Sequence, residues 1–157
     1  MNILTPIKRL RVLLIYKVLG LTTKGVRVII KNGNKVLLIK HPYDNYWVFP
    51  GGGIEKGETE IEAAKREALE ETSYDLIGEI AVLGKYQNNT GGKDDYVTIC
   101  VCDDYKKSDK PKRLIDRIEV QKQDWFDVDN LPNISRATKD RLKELHNNDF
   151  SDSIRKW

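Results

Sequence analysis

The stretch from Gly52 to Tyr74, GGIEKGETEIEAAKREALEETSY, constrains the fold more than any other part of this chain. Thr59 and Glu62 have capping-box spacing, so a helix is predicted to start near Glu60. Its body, Ile61 to Glu71, consists of good helix formers. Before it, Trp47-Val48-Phe49 reads as a short strand stopped by Pro50. Gly51-Gly52-Gly53 can then take backbone angles closed to other residues and aim a carbonyl across the turn. Glu67, Glu70 and Glu71 stand at i, i+3 and i+4, so their carboxylates share one helix face. Such like charges repel one another, and the pattern makes sense if something positive covers the face. Hard divalent cations with a preference for oxygen ligands suit it. Arg66 and Lys65 offer a metal-free alternative, in which the glutamates form a solvated acidic face.

The rest of the chain supplies strands around this helix. Val26–Ile30 and Lys35–Ile39 flank Asn32-Gly33-Asn34, which is a strong hairpin signal. His41 to Tyr46 reads as a loop. Further strands are expected at Glu79–Tyr86, Tyr96–Asp104 and Val120–Val128, with a polar loop at Gln87–Asp95 and a basic loop at Lys106–Arg113. Ser135–His146 reads as a second substantial helix, and the polar tail after Asn147 as a segment that frays. Strands on both sides of a central helix, with a helix near the end, argue for one mixed α/β layered domain. At 157 residues the chain has room for one sizeable core. The glycine turn is not a Walker loop, since no G-K-[ST] follows it.

Gly52, Glu58, Arg66, Glu67, Glu70 and Glu71 fall in register with the pattern G-x5-E-x7-R-E-U-x-E-E-x-G-U, where U is aliphatic. In these residues the chain resembles the Nudix hydrolases. Trp47 to Gly52 resembles that family's lead-in, and Trp125 to Pro132 its late-strand motif. The resemblance spans about Thr23 to His146. Two positions depart from the pattern. Ala68 replaces a larger aliphatic residue, and Ser73 replaces the glycine at the helix C-terminus.

The resemblance implies a Nudix-type α/β/α sandwich with a mixed central sheet, to which the sequence adds an N-terminal helix. It implies that Glu67, Glu70 and Glu71 bind Mg²⁺ or Mn²⁺, with the Gly51 carbonyl as a further ligand. Arg66 and Glu58 would pair and hold the loop against the helix. The implied substrate is a nucleoside diphosphate linked to another group, cleaved at its pyrophosphate bond by in-line attack of an activated water. Glu67 is one candidate for the base. Of Asp94, Asp95 and Glu119 in later segments, Glu119 is favoured as a fourth metal ligand or base. A catalytically silent nucleotide sensor and an isopentenyl diphosphate isomerase-like activity are the alternatives. The complete acid set argues against the sensor. The intact box with Arg66 and the small size argue against the isomerase. The extra motifs of the coenzyme A and NADH pyrophosphatases are missing, and so is the proline expected after the box in many ADP-ribose hydrolases. The tyrosine of many dinucleoside polyphosphate hydrolases is missing too. The substrate is therefore left open.

Residues 1–43 hold nine of the 27 Lys and Arg residues and no acid, leaving 18 bases against 24 acids, or −6, in the remainder. A basic lobe beside an acidic one suits a phosphorylated ligand held through cations, and equally a solvated basic face. Ile7 to Leu21 reads as a basic helix that is apolar on more than one side. Such a helix needs a cover, either its own domain or a second copy in a homodimer. The rival is peripheral membrane contact through residues 7–21. The expected organisation is an N-terminal helix at 1–21, a hydrolase domain at 22–147 and a tail at 148–157. No specific nucleic acid is expected as partner. Two cysteines, Cys100 and Cys102, make no disulfide framework, and a cytoplasmic location is expected. They read as buried free thiols. Tyr43, Tyr46, Trp47 and Tyr86 are candidates to stack on a base and His41 to touch a phosphate, each against an ordinary packing role.

Overall fold

The computed structural model describes residues 23–88, 95–109 and 120–157. The expected N-terminal helix, Asp94 and Glu119 lie outside the described residues. The strands are β1 (Thr23–Asn32), β2 (Lys35–Lys40), β3 (Tyr74–Leu76), β4 (Ala81–Asn88), β5 (Asp95–Cys102), β6 (Tyr105–Lys107), β7 (Lys122–Asp127) and β8 (Ile154–Lys156). The helices are α1 (Glu60–Thr72) and α2 (Arg136–His146).

The main sheet has the order β7-β2-β1-β5-β4-β8, with β1/β5 and β4/β8 parallel and the other pairs antiparallel. It is therefore the mixed central sheet expected, with one helix on each face. Alternation along the strands divides the side chains between two cores. Val26, Val28, Ile30 and Leu37 pack with Ala63, Ala64 and Ala68 of α1. Ile29, Val36 and Leu38 face the other way, where Leu142 and Leu145 of α2 close over them. The central strands are covered on both sides, which is why they read as continuous apolar runs rather than alternating ones. Alanines at the α1 contact bring the helix close to the sheet. Ala68, the first departure from the family pattern, is fully buried there.

Local signals place the elements. The hairpin joins β1 to β2 through Gly33 and Asn34, with Asn32 opposite Lys35 and Gly33 at φ 58°. The capping box is formed. Thr59 accepts from the Glu62 amide through its hydroxyl, and the Glu62 carboxylate accepts from the Thr59 amide at 2.8 Å. α1 ends at Ser73, which is left-handed at φ 63°, and its amide donates to Leu69. Serine there works against its own Cβ. Ser73→Gly is expected to stabilise the protein by about 1 kcal/mol, read as a higher denaturant midpoint at unchanged slope. An unchanged or lower midpoint would count against this account of the cap.

The structure corrects four expectations. The tail does not simply fray, because Ile154–Lys156 adds a parallel edge strand to β4. Arg155 anchors it, donating to the Leu83 carbonyl at 3.1 Å and to Asp149 at 3.0 Å. The predicted strand Tyr96–Asp104 ends at Cys102. Tyr105–Lys107, expected to belong partly to a basic loop, is a separate strand paired with Tyr74–Leu76. Trp47-Val48-Phe49 is not an independent strand but bridges Ile39 through Val48 and Ile134 through Trp47. Of the two roles open to Tyr86 the packing one is found, since it is fully buried beneath α2 with the Arg141 guanidinium 3.8 Å from its ring centre. Cys100 and Cys102 are buried free thiols, and burial pushes the Cys100 thiol up to about 12.

Candidate active site

The site begins with a turn strapped along β1. The Val28 amide donates to Pro50 at 2.8 Å, the Val26 amide to Gly52 at 2.9 Å, and the Ile54 amide to Lys24 at 3.0 Å. Held this tightly, the turn has no room for a side chain at Gly51. Its φ is 146°, and a Cβ there would collide with the Val26 carbonyl and lie 2.9 Å from the Arg27 Cα. A Cβ on Gly52 would sit 2.5 Å from Glu67 Oε1. The two glycines thus create the space in which a carboxylate meets the backbone.

Of the sequence-predicted residues, Glu58, Arg66, Glu67, Glu70 and Glu71 come together on the other side of this space. The Gly51 amide donates to Glu71 Oε2 at 2.7 Å, and Glu71 is buried. Arg66 is the hub. Its Nε and Nη2 grip Glu58 at 2.8 and 2.9 Å in a two-pronged pair. Nη2 also donates to the Gly53 carbonyl at 2.8 Å. Nη1 donates to Glu67 Oε1 at 2.8 Å and reaches Glu70 Oε2 at 3.4 Å. One guanidinium thereby ties the loop acid, the turn and two of the helix acids together.

Electrostatics follow from these contacts. The hydrogen bonds from Arg66 hold the Glu58 carboxyl below the usual carboxylate range, and the acids around Arg66 raise its own pKa further. Glu67 moves the opposite way. Burial raises its pKa, and the charge of Arg66 offsets that only in part. Among the described residues, no three His, Cys, Asp or Glu side chains are already gathered as a metal cage. The contacts above give the reason. Glu67 and Glu70 lean on Arg66, while Glu71 is turned to the Gly51 amide. The donors themselves suit a hard divalent ion, being carboxylate and carbonyl oxygens with a glycine-made space in front of Glu67.

Arg27 was not singled out by sequence reasoning as a site residue. Its Nη1 donates to the Gly51 carbonyl at 2.5 Å, and its charge acts on Glu67. The available signal was a charge inside the apolar run Val26 to Ile30. Tyr43 and Tyr46 are exposed on their loop, Tyr43 stacked on a buried His41. Trp47 packs edge-on against Phe126. A cleft of about 300 Å³ lies beside the turn, lined by Lys24, Gly25, Glu60, Lys85 and Tyr96 among others. Lys85 pairs with Glu60 across it at 2.6 Å.

The family model of the NUDIX domain matches residues 21–147. The chain belongs to the NUDIX family. The mRNA-decapping enzyme subunit 2 of Saccharomyces cerevisiae is 29% identical over 112 residues, covering 71% of this chain but only 11% of that protein. The ADP-ribose pyrophosphatase of Methanocaldococcus jannaschii is 32% identical over 117 residues, covering 68% of this chain and 63% of that one. Among solved structures, a NUDIX hydrolase from Nitrosomonas europaea superposes with a TM-score of 0.69 at 20% identity, covering 84% of this chain and 93% of that one. This likeness bears on the fold, and it is the α/β/α sandwich of NUDIX proteins. Among the described residues, no helix is long and apolar enough to cross a membrane.

The space in front of Glu67 yields a direct test. Gly52→Ala is expected to push the flexible end of Glu67 aside, leaving stability within about 1 kcal/mol while weakening Mn²⁺ binding. Gly53→Ala is the control, because nothing lies within 4 Å of its added carbon. Equal Mn²⁺ affinity in the two variants would sink the cradle assigned to Gly52.

Proposed function

We propose that this chain is a divalent-metal-dependent pyrophosphohydrolase that cleaves a nucleoside diphosphate linked to another group. One observation carries the reading. The Glu67, Glu70 and Glu71 face of α1 is clamped against the Gly51-Gly52 turn by Arg66, Glu58 and the Gly51 amide. Glu67, Glu70, Glu71 and the Gly51 carbonyl are the residues that would hold Mg²⁺ or Mn²⁺. A divalent cation bound there supplies charge neutralisation for phosphate oxygens and lowers the pKa of a bound water.

The chain's own residues do the rest. Arg66 and Glu58 keep the turn in register with the helix, so that the acids stay beside the turn on one helix face. A carboxylate accepts the proton of the attacking water. The new oxygen–phosphorus bond forms as the bridging bond to the leaving phosphate breaks. Glu67, whose pKa burial raises, is one candidate for that base. Glu119 is kept as the candidate fourth ligand or alternative base. Lys85 in the neighbouring cleft suits an anionic part of the substrate.

The test is a substrate panel with Mg²⁺ and with Mn²⁺, each against an EDTA blank. It contains nucleoside triphosphates, an oxidised guanine nucleotide, ADP-ribose, nucleotide sugars, dinucleoside polyphosphates and 5′-triphosphate RNA. The expected result is metal-dependent release of a nucleoside monophosphate or of pyrophosphate from at least one member. Nucleotide binding with no turnover across the panel would favour the silent sensor. Isomerisation of isopentenyl diphosphate would favour the other alternative.

A further inference from the structure

The four carbonyls of the turn are held in different ways. Those of Pro50 and Gly52 accept from β1 amides, and that of Gly53 accepts from Arg66. The Gly51 carbonyl alone of the four is held by a long side chain from the neighbouring strand, Arg27. Releasing it leaves the backbone of the turn in place, because Val26 and Val28 still grip it on both sides. The Gly51 amide meanwhile stays on Glu71. A positive group therefore stands against the one turn oxygen that the proposed function gives to a cation, and it also acts on Glu67.

We propose that Arg27 is the built-in counter-ion of this site. It competes with the divalent cation for the Gly51 carbonyl, and once released it grips phosphate oxygens of the nucleotide. The inference rests on the metal reading above. Two positive charges cannot share one carbonyl oxygen at short range without strong repulsion. The half-buried guanidinium must swing away, and it stays within the same pocket of negative charge. Its planar fork matches two phosphate oxygens, which a lysine at that position would not do.

The experiment measures Mn²⁺ binding to the full chain by electron paramagnetic resonance, for the wild type, Arg27→Gln and Lys24→Gln. Lys24 is the charge control, since it lies on the same strand and faces Glu60 instead of the Gly51 carbonyl. Without nucleotide, Arg27→Gln is expected to bind Mn²⁺ about three- to tenfold tighter, and Lys24→Gln to shift it far less. With saturating Mn²⁺, Arg27→Gln is expected to bind α,β-methylene-ADP at least about tenfold more weakly. Unchanged or weaker Mn²⁺ binding in Arg27→Gln overturns the proposal, as does an equal gain in Lys24→Gln or undiminished nucleotide binding. If the wild type itself binds no Mn²⁺, the metal face falls and this inference with it. Circular dichroism checks folding. Should the glutamine variant not fold, Arg27→Lys keeps the charge and loses the fork, so Mn²⁺ binding is expected close to wild type and nucleotide binding weaker; undiminished nucleotide binding in it overturns the proposal.

Discussion

Glu70→Gln is expected to cut metal-dependent turnover at least about 100-fold, a loss of ~2.7 kcal/mol in transition-state stabilisation, while the fold survives. The substitution keeps the shape of the side chain and removes its charge. The structure gives Glu70 a 3.4 Å approach to Arg66, a weaker contact than the 2.8 Å bonds Arg66 makes to Glu58 and Glu67. Removing one of three like charges also relieves repulsion of roughly 0.2–0.5 kcal/mol per pair. The melting temperature without metal should therefore hold or rise slightly, while the upward shift produced by Mg²⁺ shrinks. The measurement is initial rate on whichever panel member the wild type hydrolyses, alongside thermal melts with and without Mg²⁺ in the absence of nucleotide. Wild-type turnover in this variant would end the claim that the glutamate face holds the metal.

Gly51→Ala should do the reverse and damage the fold itself, by about 3 kcal/mol or more. The added carbon meets backbone on two sides, at the Val26 carbonyl and the Arg27 Cα. Neither can retreat, because the amides of Val26 and Val28 are bonded to the same turn. The φ of 146° is also closed to alanine. A large drop in the denaturant midpoint is expected, with the neighbouring Gly53→Ala close to wild type. A Gly51→Ala protein as stable as wild type would mean that the turn is not strapped to β1 as described. The contrast with Gly52→Ala separates the two glycines. One guards the backbone, and the other guards the space before a carboxylate.

What the sequence by itself determined is the local chemistry. Thr59 and Glu62 specified where α1 begins, and Asn32-Gly33-Asn34 specified the hairpin, because capping and turn geometry depend on residues a few positions apart. The i, i+3, i+4 spacing put Glu67, Glu70 and Glu71 on one face, since helical periodicity needs no tertiary contact. The pairing of Glu58 with Arg66, implied by family resemblance, is present across eight positions in the chain. Only the tertiary structure decided contacts between segments that no local pattern joins. Arg27 meets Gly51 because the turn after β2 folds back along β1. Short β3 and β6, three residues each, pair because the ends of α1 and β5 bring them together, and neither carries a long periodic signal. The polar tail becomes β8 because β4 presents a free edge and Leu83 a carbonyl for Arg155. Periodicity reports what a segment would bury, but partners distant in sequence are chosen by the packing of the whole sheet.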